Sequence, residues 1–101
     1  MAKGRLWQLQ QEVRKFEVEN GFAEQSATIK CLLLGEEVGE LFKAIRLKSG
    51  VGVDVESTQR VVGEELADVF ILLLALANRY ELDLGDEMMM KLAANRNRTW
   101  K

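Results

Sequence analysis

Two short acidic motifs stand 28 residues apart, GEEVGELF at 35–42 and GEELADVF at 63–70, and they match in residue type at every position. Each carries two carboxylates three residues apart, Glu37 with Glu40 and Glu65 with Asp68. On a helix that spacing puts both side chains on one face. The stripe through the first pair continues to Leu33 and Ala44 and the stripe through the second to Val61 and Leu72, so both pairs interrupt apolar faces. For a single such pair a solvated face, favoured for helix propensity, is the ordinary reading. Two pairs on helices joined by one connection differ, because antiparallel packing gathers four carboxylates that cannot all stay ionised in a dry site without a counter-charge. Lys43, Arg46 and Lys48 lie beyond the motif, and a divalent cation meets the need. An all-oxygen site without His or thiolate suits Mg²⁺ or Mn²⁺ and argues against zinc or copper.

A second constellation lies downstream. Lys91, Asn95 and Arg98, at spacings of four and three, share one helical face. Cations near a helix C-terminus are favourable in their own right. Beside a carboxylate cage that holds magnesium, the same residues read as phosphate binders, with Lys as a point contact and Arg as a fork. A polyphosphate then lies between the metal and this face.

Composition removes the competing chemistries. The chain has 101 residues, no His and a single Cys, Cys31. That excludes Ser-His-Asp catalysis, a Cys-His nucleophile, Cys/His zinc and an internal disulfide, and Cys31 is expected as a small core residue in a reducing compartment. The balance of 14 basic against 16 acidic residues lacks the clustered positive charge that a nucleic acid polymer would require. The N-terminal stretch turns charged and polar within a few residues and has no apolar core of a signal peptide, so the expectation is a cytoplasmic protein. The longest apolar run, VFILLLALA at 69–77, is far short of the ~20 residues that span a bilayer, and we expect no membrane association.

These side chains must be held by helices, since the chain contains no proline and is rich in helix formers. Residues 5–19 carry Leu6, Leu9, Val13 and Phe16 at helical spacing, with Asn20-Gly21 as a stop. Residues 27–47 form a second helix capped by Ser26, with Ile29, Leu33, Leu41 and Ile45 as buried candidates. The glycine-containing stretch 49–55 is the main connection. A third helix starts near Ser57 or Thr58, runs to about Glu81 and buries the VFILLLALA segment. Being apolar on more than one face, it calls for cover by a second subunit. A fourth starts at the N-cap Asp83 and runs to about Arg98, with Met88, Met89 and Met90 expected to pack against the third helix. The whole is one all-α domain over 1–101, a four-helix bundle-like protomer in a homo-oligomer.

At these residues the chain resembles the MazG-like members of the all-α nucleoside triphosphate pyrophosphohydrolase superfamily, in particular the short dCTP-pyrophosphatase-like branch. The family pattern is EExxE, a spacer, then ExxD. Here it reads Glu36, Glu37, Glu40, then 24 intervening residues, then Glu65 and Asp68, followed downstream by Lys91, Asn95 and Arg98. The resemblance implies hydrolysis of a nucleoside or deoxynucleoside triphosphate between its α and β phosphates, giving the monophosphate and pyrophosphate, with water as the nucleophile. It implies that Glu37, Glu40, Glu65 and Asp68 hold Mg²⁺, that Lys91 and Arg98 bind phosphates, and that Asn95 binds phosphates or sugar. Glu36 is either a support for the metal-binding acids or the base that activates the water. Family members are homodimers or homotetramers, and bases are held by aromatic residues of the first helices, here Trp7, Phe16 and Phe22. General burial tendencies place those aromatics in the core instead. The competing function is a non-catalytic helical oligomeric module that binds metal or nucleotide for regulation. The intact pairing of carboxylates with phosphate binders favours the enzyme.

Overall fold

Helix-forming sequence punctuated by caps gives four helices in a computed structural model that describes residues 4–49 and 55–98. They are α1 (Arg5–Glu19), α2 (Ala27–Lys48), α3 (Val55–Arg79) and α4 (Leu84–Arg96), with no strand among the described residues. The all-α expectation therefore holds. Residues 50–54 of the expected connection lie outside the described residues, and α3 begins two residues earlier than Ser57.

Local chemistry sets the boundaries. The Ser26 hydroxyl accepts from the Ile29 N–H at 3.2 Å and the Asp83 carboxylate from the Asp86 N–H at 3.2 Å, each satisfying a donor that a helix start leaves open. Two helices end in Schellman motifs. At α1, Phe22 N–H reaches Glu17 O at 2.8 Å and Gly21 N–H reaches Val18 O at 3.4 Å, with Gly21 at φ 77°. At α3, Leu82 N–H reaches Ala77 O at 2.9 Å and Glu81 N–H reaches Asn78 O at 3.1 Å. There the left-handed position is held by Glu81, at φ 55°, where glycine is the usual occupant.

The helices α2 and α3 form the principal pair, α1 lies along α3, and α4 rests on α1. The core is small: Val13, Leu74 and Ala75, with Leu6, Leu9 and Leu84 packed around them. A polar network pins α1 to the turn between α3 and α4. Gln10, wholly buried, donates to Asn78 Oδ1 at 3.0 Å and Leu82 O at 2.9 Å and accepts from Leu84 N–H at 2.8 Å. Asn78 in turn donates to Gln10 O at 2.9 Å. No buried donor or acceptor of this quartet is stranded, which is the condition for burying amides at all.

Several burial expectations fail. On α2, Ile29 and Ile45 are exposed and the buried residues are Lys30 and Ala44. Of the VFILLLALA run, Leu74, Ala75 and Ala77 are buried, whereas Phe70, Ile71 and Leu73 are exposed. Cys31 is exposed, beside Leu32, Leu76 and Tyr80, rather than in the core. Met88, Met89 and Met90 are exposed as well. One reason covers the first three: a single chain of this length covers one side of a long apolar helix pair and leaves the other open. No helix among the described residues is long and apolar enough to cross a membrane.

Candidate functional site

The antiparallel α2–α3 pair brings the two acidic motifs face to face. Glu37 from α2 and Glu65 and Asp68 from α3 each offer a carboxylate oxygen, and these oxygens all lie within 4.8 Å of one another. Glu40, one turn beyond Glu37, is exposed and falls outside this group of three. Its charge still acts on Glu37. Glu36 is exposed, a step around the helix from Glu37.

The electrostatics of the cluster are those of acids without a counter-charge. Burial pushes the Glu37 carboxyl up, and the hydrogen-bonding approach of Glu65 and the charges of Asp68, Glu65 and Glu40 push it further the same way. One oxygen of Glu65, Oε2, is buried with no donor to it. Among the described residues no Lys or Arg forms an ion pair with Glu37, Glu65 or Asp68. Three convergent oxygens, one of them orphaned, and a carboxyl raised by its neighbours fit a hard cation that takes oxygen ligands.

Glu37 and Asp68 also line one end of a cavity of about 290 Å³. Its floor is apolar, with Leu33, Ile71, Leu72 and Ala75, and its far end is built by Phe16, Glu17, Phe22 and Lys30. The two phenyl rings stand 6.1 Å apart at 55°. Both are partly exposed, Phe16 at 49% and Phe22 at 40%, so neither is the core aromatic that burial tendencies favour. Trp7 is half-buried on α1 and is not among the cavity's lining residues.

The far end also holds a charge network that the sequence reading missed. Glu17 takes a two-pronged grip from Arg79, Nη1 to Oε1 at 2.8 Å and Nη2 to Oε2 at 3.0 Å, and a third contact from Lys30 Nζ to Oε2 at 2.8 Å. Arg79 also donates to the carbonyls of Phe22 at 3.0 Å and Gln25 at 2.7 Å, so it ties the α1–α2 connection to the end of α3. Lys30 Nζ sits 5.3 Å from the centre of the Phe22 ring, a cation–π distance. Burial pushes Glu17 up, but the hydrogen bonds from Arg79 and Lys30 and their charges outweigh it, and the net shift is downward. The signal was in the sequence: Leu6, Gln10, Val13 and Glu17 recur at spacings of four, three and four, a helical stripe that carries two polar residues.

Lys91, Asn95 and Arg98 sit on α4 and just past its end, and no residue of α4 lines the cavity. Within one chain the structure thus joins the carboxylates to an aromatic slot but does not bring the downstream cations to them. No family model matches the chain, and no curated protein matches it.

Proposed function

We propose that the protein is a Mg²⁺-dependent pyrophosphohydrolase of nucleoside or deoxynucleoside triphosphates, related to the MazG-like enzymes, that works as a homo-oligomer in the cytoplasm and serves to clear the nucleotide pool. One observation carries the reading: a single cavity is lined both by Glu37 and Asp68, two of three convergent carboxylates with no Lys or Arg partner among the described residues, and by a pair of partly exposed phenyl rings. A triphosphate needs a cation and a nucleobase needs a flat apolar wall, and side chains suited to each line the one cavity.

In this reading Glu37, Glu65 and Asp68 hold the ion, with Glu40 next to them as the fourth carboxylate. Mg²⁺ bound there, for which Mn²⁺ is the natural substitute, supplies a Lewis acid toward phosphate oxygens and favours deprotonation of water. Phe16 and Phe22 hold the base by ring contact, and Lys30 with Glu17 closes the slot behind it. Water oxygen attacks the α phosphorus, the anhydride bond between the α and β phosphates breaks, and pyrophosphate leaves. Glu36, exposed beside the cluster, takes the proton of the attacking water. Lys91, Asn95 and Arg98 bind the phosphates. Trp7 does not line this cavity.

The test is pyrophosphate release from the four common dNTPs and dUTP, with and without Mg²⁺, by the wild type and Glu40→Gln side by side. Metal-dependent release by the wild type alone is the expected result. No release from any substrate, with a melting temperature that Mg²⁺ leaves unchanged, refutes the reading. No release with a Mg²⁺-dependent rise in melting temperature would point instead to a regulatory metal-binding module.

A further inference from the structure

The ion pair beside the phenyl rings has bonding capacity left over in one place. Arg79 is fully committed: its five N–H groups meet the two oxygens of Glu17 and the carbonyls of Gln25, Ala75 and Phe22, all at 2.7 to 3.0 Å. It rivets α1 and the connection after it to the end of α3 and has nothing left for a ligand. Both oxygens of Glu17 already accept, from two cations. Lys30 differs. Of the three N–H groups on its ammonium, one goes to Glu17 Oε2 at 2.8 Å and one is accounted for by the face of Phe22, whose ring centre is 5.3 Å from Nζ. A third partner is absent among the described residues. Lys30 is 5% exposed and lines the acidic cavity, so its spare donor is largely withdrawn from bulk water, and a ligand that brings an acceptor relieves that cost.

The spacing decides which part of a nucleotide meets that donor. Lys30 and Glu37 line the cavity from the same helix, seven residues and so about 10 Å apart along its axis. That is the reach from an α phosphate to the edge of a nucleobase remote from its sugar. With the phosphate at the carboxylates and the base against Phe16 and Phe22, this remote edge faces the ammonium. It carries position 4 of a pyrimidine and position 6 of a purine. Uracil, thymine, guanine and hypoxanthine hold a carbonyl oxygen there, whereas cytosine and adenine hold an amino group. An ammonium donates and cannot accept. An amino group beside it sets N–H against N–H and leaves both unpaired in a buried place, which discriminates more sharply than a missing contact does.

We propose that Lys30 reads the base at the edge remote from the sugar and selects a carbonyl oxygen there over an amino group, so that the protein takes nucleotides of uracil, thymine, guanine or hypoxanthine in preference to those of cytosine or adenine. The inference rests on the functional reading above for the presence of a nucleotide, and on the contacts of Lys30 for the choice among bases. Glu17 is the group that would favour an amino base instead. Its oxygens already take three contacts of 3.0 Å or less from Arg79 and Lys30, which leaves the ammonium as the freer partner. The choice departs from the resemblance drawn from the sequence, whose namesake base, cytosine, carries an amino group at that edge.

Two pairs of substrates that differ at the remote edge, dITP with dATP and dUTP with dCTP, decide the sign with the wild type alone. In each pair the keto member is expected to have the higher kcat/KM by about 10- to 100-fold, the worth of one hydrogen bond to a charged donor. Lys30→Met keeps the apolar stem and leaves Glu17 the two-pronged grip of Arg79, and is expected to bring both ratios to within a few-fold of one. Lys30→Gln, whose amide both donates and accepts, is expected to level them too and serves if the methionine variant loses its helical circular dichroism. An active wild type with equal rates, or with a preference for the amino members, overturns the inference and leaves the pyrophosphohydrolase reading standing. A keto preference that a folded Lys30 variant retains overturns it as well. Melting temperatures with dUMP, dCMP, dIMP and dAMP in Mg²⁺ read recognition without hydrolysis. A wild type inactive on every triphosphate, yet stabilised more by dUMP and dIMP than by dCMP and dAMP, removes the catalytic reading and supports the role of Lys30. Inactivity with no stabilisation by any of the four overturns both.

Discussion

Replacing Glu37 with Gln separates a metal cage from a decorative acidic face. Glu37 confronts Glu65 and Asp68 with oxygens inside 4.8 Å, and its carboxyl is raised by burial first and by those neighbours next. Close charge pairs near a surface are worth about 0.2–1 kcal/mol each, so relieving two of them returns on the order of 1 kcal/mol to the metal-free protein. The Gln amide also offers the orphaned Glu65 Oε2 a donor. For a domain of this size about 1 kcal/mol moves the melting temperature by about 4–8 °C, upward here. Saturating Mg²⁺, at 100 times its dissociation constant, stabilises the wild type by about 2.7 kcal/mol, or roughly 10–20 °C, and the variant by far less. The pH dependence has a definite sign. Because the folded-state pKa of Glu37 is raised, its contribution is fully present below the ordinary glutamate value and is lost as pH rises through the raised one. The gap between variant and wild type therefore opens with rising pH in EDTA. Scanning calorimetry with EDTA or Mg²⁺ at several pH values measures all of this. A variant that melts lower than the wild type in EDTA, or that Mg²⁺ stabilises equally, refutes the cage.

Glu40→Gln and Asp68→Asn are each expected to abolish pyrophosphate release with circular dichroism unchanged, and retained turnover in both would sink the metal assignment. Phe22→Ala is expected to raise KM several-fold with kcat nearly intact, since in the proposed reading the ring contacts the base and not the reacting phosphorus. Glu17→Ala strands Lys30 and Arg79, whose side chains are 6% and 13% exposed, and is expected to cost about 3–5 kcal/mol in urea unfolding. With its pKa lowered in the fold, Glu17 stabilises above the ordinary glutamate range and loses that contribution as pH falls through its lowered value, so acid denaturation of the wild type tracks it. Glu81→Gly, at φ 55°, is expected to stabilise by about 1 kcal/mol, because a left-handed backbone costs a side-chain-bearing residue about that much.

The helices and their caps were legible because they rest on local chemistry. Ser26, Asp83 and the Asn20-Gly21 stop act within a few residues of themselves, and α1 spans the residues its pattern predicts. The buried faces were less so. On α2 the apolar residues Ile29, Leu33, Leu41 and Ile45 suggest one stripe, yet the face turned inward runs through Lys30, Leu33, Glu37, Leu41 and Ala44. A lysine takes an inward position only when an acid from elsewhere meets it, and that acid, Glu17, lies on another helix. No window along α2 contains this information. The same holds for Phe16 and Phe22, read as core by type but left half open because the wall opposite them is a cavity.

Of the four acids of the repeated ExxE and ExxD pairs, Glu37, Glu65 and Asp68 converge and Glu40 stands outside them, and contrast with Glu17 shows how their surroundings differ. Lys30 and Glu37 stand on the same cavity-facing side of α2, seven residues apart, or about 10 Å of helix. At the Lys30 end a buried carboxylate is met by two cations through three contacts of 3.0 Å or less, and its proton affinity falls. At the Glu37 end three carboxylates converge with no such partner among the described residues, and the proton affinity of Glu37 rises. Unpaired convergent acids cost stability, and the same fold neutralises an acid internally two turns away. The contrast is what favours the proposed cation at the Glu37 end, since a hard cation is the kind of charge that three convergent oxygens would take.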